Sequence, residues 1–265
     1  MDKEFYKNHT FVVCTYKESK YLEECVISLM SQTIKSNILI ATSTPNEFIN
    51  NIAQKYNIKV VENPKKGMGI GYDFDFALSV GQTQFVTIAH QDDLYVENYL
   101  EEVVKKINDK TIICFTDYSE KRNDRIVHKN RNLKIKRFML WILNYKIFQK
   151  SIFIRRRILS LGDPICCPSV TFNMKQTKIP LFYVNYKSNV DWFAWEKLSK
   201  QKGFFVYINK KLMMHRIHEE SETTKIINDN IRTNEDFEIF IKFWPKFIAK
   251  ILAKIYKRGE QSNSK

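Results

Sequence analysis

Phe85-Val-Thr-Ile-Ala-His-Gln-Asp92-Asp93 carries an apolar, β-branched run straight into two adjacent carboxylates. Such a run reads as a buried strand. Two acids at its carboxyl end resist joint ionisation in a low dielectric unless a cation neutralises them. In open α/β sheets, ligands gather beyond the carboxyl ends of the strands, so this is the place for a Mg2+ or Mn2+ ion carrying a diphosphate. The residues alone leave a second reading open, an acidic turn in which Asp92 or Asp93 caps a helix over residues 96–107.

The elements around this junction alternate. Strand-like runs fall at residues 10–15, 37–42, 58–61, 84–89 and 111–115. Helical patterns lie between them at 19–32, where Leu22, Val26, Leu29 and Met30 share a face, and at 45–56 and 72–80. That alternation predicts an α/β fold with a mostly parallel sheet covered by helices on both faces. Lys65-Lys-Gly-Met-Gly-Ile-Gly71 is a flexible loop before the third helix. It lacks the spacing and the Gly-Lys-Ser/Thr ending of a P-loop, yet its backbone and lysines can meet phosphate. After Arg125 the pattern degrades, and a helix over 191–201 and the segment Met213-Met-His-Arg-Ile-His218 stand out.

The formal charge of +14 and pI near 9.4 require an anionic partner. Between Arg125 and Gly162 there is no Asp or Glu, while Lys and Arg alternate with Phe138, Trp141, Phe148 and Phe153. From Pro245, the apolar residues Phe247, Ile248, Ile251, Leu252 and Ile255 are expected on one helical face, with Lys246, Lys250, Lys254, Lys257 and Arg258 on another. Such helices lie on anionic membranes, or else the apolar face packs on the protein's own core. The five cysteines are odd in number and form no C-x-x-C pair, which fits a reducing compartment and neither a disulfide framework nor a zinc knuckle. The longest apolar run, 138–143, is far short of the roughly 20 residues that span a bilayer. The expected location is cytoplasmic, peripheral to the inner face of the plasma membrane.

Five segments, in order, resemble the bacterial inverting family 2 glycosyltransferases, which share the GT-A nucleotide-diphospho-sugar transferase fold. FVVCTYKESKYLEECVISLMSQT (11–33) resembles the family's opening strand, uracil-side loop and first helix. GIGYDFDFALS (69–79) is similar to the loop before the metal strand, and VTIAHQDDLY (86–95) to the metal motif. NVDWFAWEKLSKQKG (189–203) resembles the helix bearing the catalytic carboxylate, and HRIHEESETT (215–224) the late Arg-x-His element that closes over metal and diphosphate. The resemblance implies a GT-A domain over 1–225, a basic amphipathic helical extension over 226–258 and a disordered tail over 259–265. It favours a cation for Asp92 and Asp93 over a helix cap.

The resemblance further implies Asp191 as general base and Asp92, Asp93 and His218 as holders of Mn2+ or Mg2+. Thr15, Tyr16, Glu18, Thr42, Ser43, Gly69, Asp73, Asp92 and Arg216 would meet the nucleotide-sugar. His90 stands where the family carries an Asp two places before the metal-binding Asp, and Thr42-Ser43 replaces an Asp-Asp pair. Transfer needs charge neutralisation on the departing diphosphate and a base for the acceptor hydroxyl. Trp192 and Trp195 beside Asp191 are expected to offer an apolar wall and stacking for sugar rings. Cys166 and Cys167 have no assigned base and read as an apolar loop before Pro168. The expected donor is a UDP-sugar, and the expected acceptor a saccharide on polyprenyl diphosphate. A sugar-1-phosphate nucleotidyltransferase would need glycines after the first strand that Cys14-Thr-Tyr-Lys-Glu18 lacks. A nucleic-acid-binding protein would use the charge but leave the acid pair, Asp191 and His218 without a purpose.

Overall fold

Four strands, His9–Thr15 (β1), Asn37–Thr42 (β2), Lys59–Glu62 (β3) and Phe85–His90 (β4), lie parallel in the order β3-β2-β1-β4. They belong to a computed structural model that describes residues 8–122, 125–183, 186–218 and 230–261. Helices Leu22–Met30 (α1), Glu47–Lys55 (α2) and Ile70–Val80 (α3) connect them. On α1 the buried face is Leu22, Cys25, Val26 and Leu29, whereas Met30 is exposed. The spacing i, i+3, i+4, i+7 favours Cys25 over Met30 on that face. Asn46 starts α2 by accepting the Ile49 amide at 2.9 Å.

Beyond β4 the sheet continues through Val170–Asn173 (β8), Thr111–Arg122 (β6), Phe204–Ile217 (β9) and Leu94–Tyr95 (β5), with Arg125–Val127 (β7) hanging on β6. Strands β8, β5 and β7 run against their neighbours, and β6 and β9 pair in parallel. Six of the nine strands among the described residues therefore share one direction. Strand β6 extends well past the expected 111–115 because its polar second half is buried and compensated. Asp117 accepts Arg137 Nε at 2.8 and 3.0 Å, and Glu120 accepts from Asn130 and Arg122. Such pairing is tertiary and leaves no apolar periodicity to read.

Alternating side chains split the core into two layers. Phe11 and Val13 face a layer with α1 and α2, to which Tyr99–Val104 (α4) adds; Val12 faces the other. That second layer holds α3 together with Arg131–Leu140 (α5), Ile152–Leu159 (α7) and Val190–Leu198 (α8). The short helix Lys146–Gln149 (α6) links α5 to α7 through a tight turn. Asn230–Phe240 (α9) and Lys246–Gln261 (α10) close the same layer through Ile239, Phe240, Ala249 and Ala253. Helix α10 runs through the start of the expected 259–265 tail; residues 262–265, like 219–229, which include the second half of the Arg-x-His element, lie outside the described residues.

The apolar stripe expected on α10 is divided. Ala249 and Ala253 are buried, with Ile248 and Leu252 half-buried beside them, while Phe247, Ile251 and Ile255 are exposed. Among the described residues no helix is long and apolar enough to cross a membrane.

Candidate functional site

The parallel strands end in register. Thr15 pairs with Thr42, Thr42 with Glu62, and Cys14 with His90, so the carboxyl ends of β1 to β4 form one edge. Thr15 and Thr42 are buried there; Thr15 Oγ1 donates to Ala41 O at 3.3 Å, and Thr42 Oγ1 accepts the Thr44 amide at 3.1 Å. Ser43 Oγ and Asn63 Nδ2 each donate to Asp73 at 2.9 Å. Burial raises the Asp73 carboxyl above its usual range, with those two bonds only partly offsetting it. Tyr16 and Glu18 lie exposed on the loop after β1. Gln91 clasps that loop through Tyr16 N at 3.1 Å and Tyr16 O at 3.0 Å, which ties it to the turn carrying the acid pair. Gly69, with φ of 94°, opens α3 with nothing within 4 Å of where a side chain would begin. Its backbone conformation suits glycine.

The acid pair caps no helix: the turn leads into β5, and Asn98 precedes α4. Asp93 is fully buried; its Oδ1 accepts the Arg216 amide at 2.8 Å and lies 3.0 Å from His215 Nδ1. Burial depresses the His215 pKa, but the charge and hydrogen bond of Asp93, aided by Asp92, push it up to about 9. His215 is thus an imidazolium held by Asp93. Asp92 Oδ2 lies 3.0 Å from His218 Nε2. Burial raises the Asp92 pKa, yet the His218 bond and the neighbouring histidine charges outweigh it and hold the carboxyl below its usual range.

Arg216 donates from Nε to Asp92 O at 2.9 Å and from Nη2 to Glu24 at 2.6 Å, and its guanidinium covers Tyr21 at 4.0 Å. It is 5 % exposed. The expected diphosphate contact therefore sits in the wall of the site, paired with Glu24, and would have to leave that partner to reach a phosphate.

His90, Asp92 and Asp93 present ligand atoms within 4.8 Å of one another. Ligands about 2.1 Å from one ion stand at most ~4.2 Å apart, so an ion would draw the group in slightly. His90 Nε2 is buried without a hydrogen-bond partner. Burial depresses the His90 pKa against the opposing pull of Asp93 and Asp92, which keeps a ring nitrogen available. Two carboxylates suit Mg2+ or Mn2+, and an added imidazole shifts the preference towards the transition metal. The residues present fit such an ion. Sequence reading noted His90 only as a departure, and the signal that would have found it is its place one strand-register step from the acids. His218 meets Asp92 from outside that trio.

Asp191 lies in the first turn of α8, where Asn189 takes the N-cap position; its Oδ1 accepts the Trp192 amide at 2.8 Å. An ordinary N-cap role is therefore excluded. Asp163 hydrogen-bonds Asp191, and burial together with the Asp191 charge raises the Asp163 pKa well above the carboxylate range. Asp163 is therefore the member of the pair that carries a proton. The helix is fixed at both ends by buried charge. Glu235 of α9 accepts the amides of Lys187, Ser188 and Asn189 at 2.6, 3.0 and 3.0 Å. Arg155 donates to the carbonyls of Ser199, Gln201 and Gly203 at the other end. Both signs suit the helix dipole. Upstream, Asp75 accepts the amides of Leu181, Phe182 and Tyr183 at 2.6, 3.0 and 2.7 Å, anchoring the preceding loop to α3.

The expected stacking of sugars on Trp192 and Trp195 is overturned. Both are fully buried, Trp192 against Phe240 and Tyr256, Trp195 against Phe172 and Phe182. An indole that large is worth more to the core than to a solvent-facing wall. Cys166 and Cys167 are buried, and burial pushes both thiols far up, which suits the inert loop expected of them.

Residues 10–176 match the family described as Glycosyl transferase family 2. An uncharacterized glycosyltransferase of Rickettsia bellii is 22% identical over 254 residues, covering 93% of this chain and 34% of that protein. The glycosyltransferase GlyG of Streptococcus pneumoniae is 28% identical over 105 residues, 37% of this chain and 35% of that protein. The chain spans about a third of the length of the curated relatives it matches. S. aureus TarS, solved with UDP-GlcNAc, superposes with a TM-score of 0.63 at 17% identity over 88% of this chain and 64% of that one. The mannosyltransferase PcManGT from Pyrobaculum calidifontis, solved with GDP-Man and Mn2+, gives 0.63 at 14% identity over 97% and 71%. These two structures share the GT-A fold with this chain.

Proposed function

We propose, for a chain that belongs to glycosyl transferase family 2 and is thereby a glycosyltransferase, that it transfers a sugar with inversion from a nucleotide-diphospho-sugar to a saccharide. The observation that carries this reading is the Asp92–Asp93 turn at the carboxyl edge of the sheet, met by His215 and Arg216 of β9 and by His218 just after it. UDP-sugar is our preferred donor. A saccharide on polyprenyl diphosphate, met at an anionic membrane surface during cell-surface polysaccharide synthesis, is our preferred acceptor. TarS, solved with UDP-GlcNAc, and PcManGT, solved with GDP-Man, support a nucleotide-sugar donor in general.

In this reading Tyr16, Glu18, Gly69 and the Ser43–Asp73 pair line the nucleoside end. Asp92, with His90 and Asp93, would hold Mn2+, which supplies charge neutralisation on the departing diphosphate. Asp191 takes the proton of the acceptor hydroxyl as its oxygen bonds to the anomeric carbon; the bond from that carbon to the diphosphate oxygen breaks, and the electron pair leaves with the nucleoside diphosphate. Asp163, carrying a proton, supports Asp191 through the hydrogen bond between them.

The test is calorimetric titration of UDP- and GDP-sugars with and without Mn2+, on the wild type and on Asp92→Asn. Mn2+-dependent donor binding in the wild type, lost in a folded Asp92→Asn protein, is expected. Donor affinity unchanged by both metal and substitution would overturn the assignment. His218→Ala is expected to weaken apparent Mn2+ affinity less than Asp92→Asn does.

A further inference from the structure

Helix α10 repeats a four-residue unit, Lys246-Phe-Ile-Ala, Lys250-Ile-Leu-Ala, Lys254-Ile-Tyr-Lys257. The structure sets the unit's four positions apart. The fourth position, Ala249 and Ala253, is buried and lets the helix lie close on the core; the third is half-buried. The second position, Phe247, Ile251 and Ile255, is 69%, 57% and 59% exposed, and the first is an exposed lysine each time. An apolar stripe therefore stands in solvent with a lysine stripe beside it. Core packing does not explain it, because the core face is a different one.

The apolar surface continues onto α7. Arg157 lies 5.8 Å over the Phe153 ring and 4.9 Å over that of Trp244, which places Phe153, 69% exposed, beside the start of α10. Gly162, just after α7, has no room for a side chain because Tyr256 of α10 would lie 2.8 Å from it. Residues 126–161 and 245–258 contain no Asp or Glu, while Lys134, Lys146, Lys150, Lys246, Lys250 and Lys254 are exposed. Several arginines of the same segments do not add to this field: Arg155 is buried, Arg137 is paired with Asp117, and Arg156 with Glu196. The lysines remain, and they are the residues whose long stems let apolar anchors sink while the ammonium stays at the headgroups.

We propose that the Phe247–Ile251–Ile255 stripe of α10, continued by Phe153 of α7, docks on an anionic lipid surface, with Lys246, Lys250 and Lys254 meeting the headgroups. Charge complementarity selects this occupant: an acid-free lysine frame repels a second copy of itself and matches phosphatidylglycerol-type headgroups. The proposal deepens the membrane part of the reading above by naming the surface that meets lipid. Donor and Mn2+ titration does not involve these residues, so either reading can fail alone.

The experiment is co-sedimentation of the full chain with vesicles of phosphatidylcholine, with and without phosphatidylglycerol. Wild type is expected to bind only the anionic vesicles and to be partly released by salt. The triple variant Phe247→Ser, Ile251→Ser, Ile255→Ser should bind at least tenfold more weakly, and Lys246→Gln, Lys250→Gln, Lys254→Gln should fall to the phosphatidylcholine level. Should the serine variant fail to fold, the lysine variant and fluorescence quenching by brominated lipid decide: exposed Trp141 lies in the same acid-free region, and Trp141→Phe reports its share. Equal binding to neutral vesicles, no binding, full binding by a folded serine variant, or a stable dimer abolished by the serine substitutions would each overturn the proposal; the last would assign the stripe to a second copy.

Discussion

The sheet edge proposed to bind the donor and the side proposed to close over it are held by different means. Along β1 to β4 the site residues fall between 15 and 93 and are placed by strand ends in register, so the backbone ladder does the positioning. The closing side is brought in from far along the chain. Arg216 reaches Asp93 across 123 residues and Glu235 reaches Asn189 across 46, in both cases through a buried carboxylate accepting backbone amides. A ladder distributes a defect over many bonds, whereas a buried carboxylate concentrates it. Substitutions on the closing side should therefore disturb chemistry and stability through single residues, and those on the donor edge should act mainly on binding.

The largest expected effect tests that division directly. Asp191→Asn should lower turnover by a factor on the order of 10² or more, as for removal of a positioned base, with donor and Mn2+ affinity near wild type. Single-turnover transfer at saturating donor, paired with donor titration, reads both quantities. A parallel loss of donor affinity would break the division, and a retained rate would move the base assignment to Asp163.

Next come the two members of the acid pair. Asp93 is the buried carboxylate that keeps His215 protonated and accepts the Arg216 amide, so Asp93→Asn breaks a buried pair and lets the ring lose its proton, and should cost on the order of 3 kcal/mol of stability. Asp92→Asn should leave the urea midpoint nearly unchanged. If both variants lose the same stability, the pair acts as one structural unit and the comparison between them fails.

Glu235→Ala sharpens the point at the greatest remove. It strands three amides before α8, worth about 1 kcal/mol each. Turnover should fall more than donor affinity, and Glu235→Gln, which keeps an acceptor, should recover part of the rate. Equal loss of turnover and donor affinity would make Glu235 a general support and not a positioning residue for Asp191.

The same contrast explains what the sequence made legible. Strands β1 to β4, the helices between them and the acid pair were readable because apolar periodicity and a strand-to-acid junction are local signals. Strand β9 was not, beyond its last residues, since Asn209, Lys210 and Lys211 interrupt its apolar run and its pairing with β6 is long-range. Glu235 and Asp75 carry no local signal at all, because an acid within a helix reads as a solvated face until its partners arrive. Trp192 and Trp195 misled for the opposite reason: aromatic residues beside the carboxylate proposed as base suit a sugar as well as a core, and only packing distinguishes the two. The stripe on α10 was visible as one amphipathic face, and it needed the third dimension to divide.

The smallest effect belongs to the donor half and shows how the ladder tolerates a titrating group. His9 opens β1, fully buried, with Ser36 Oγ 2.7 Å from Nδ1 and Thr87 Oγ1 3.0 Å from Nε2. Burial pushes its pKa down from 6.5 to about 3, so the folded state holds it neutral. A depressed folded value means the contribution is fully present above pH 6.5 and is lost as the pH falls towards 3. Between pH 7 and pH 5 the loss should be about 2 kcal/mol, since the unfolded chain binds a proton that the folded chain refuses. Other groups titrate in that window, and His215, with its raised pKa, has the opposite sign. The difference between wild type and His9→Gln in urea midpoints at the two pH values cancels them. A wild-type loss exceeding the variant's by about 2 kcal/mol is expected, with Mn2+-dependent donor affinity at pH 7 unaltered by the substitution because His9 lies at the end of β1 opposite the site. An identical pH response in both proteins would mean that His9 accepts its proton within the folded sheet, and that the donor half is looser at its amino edge than the ladder implies.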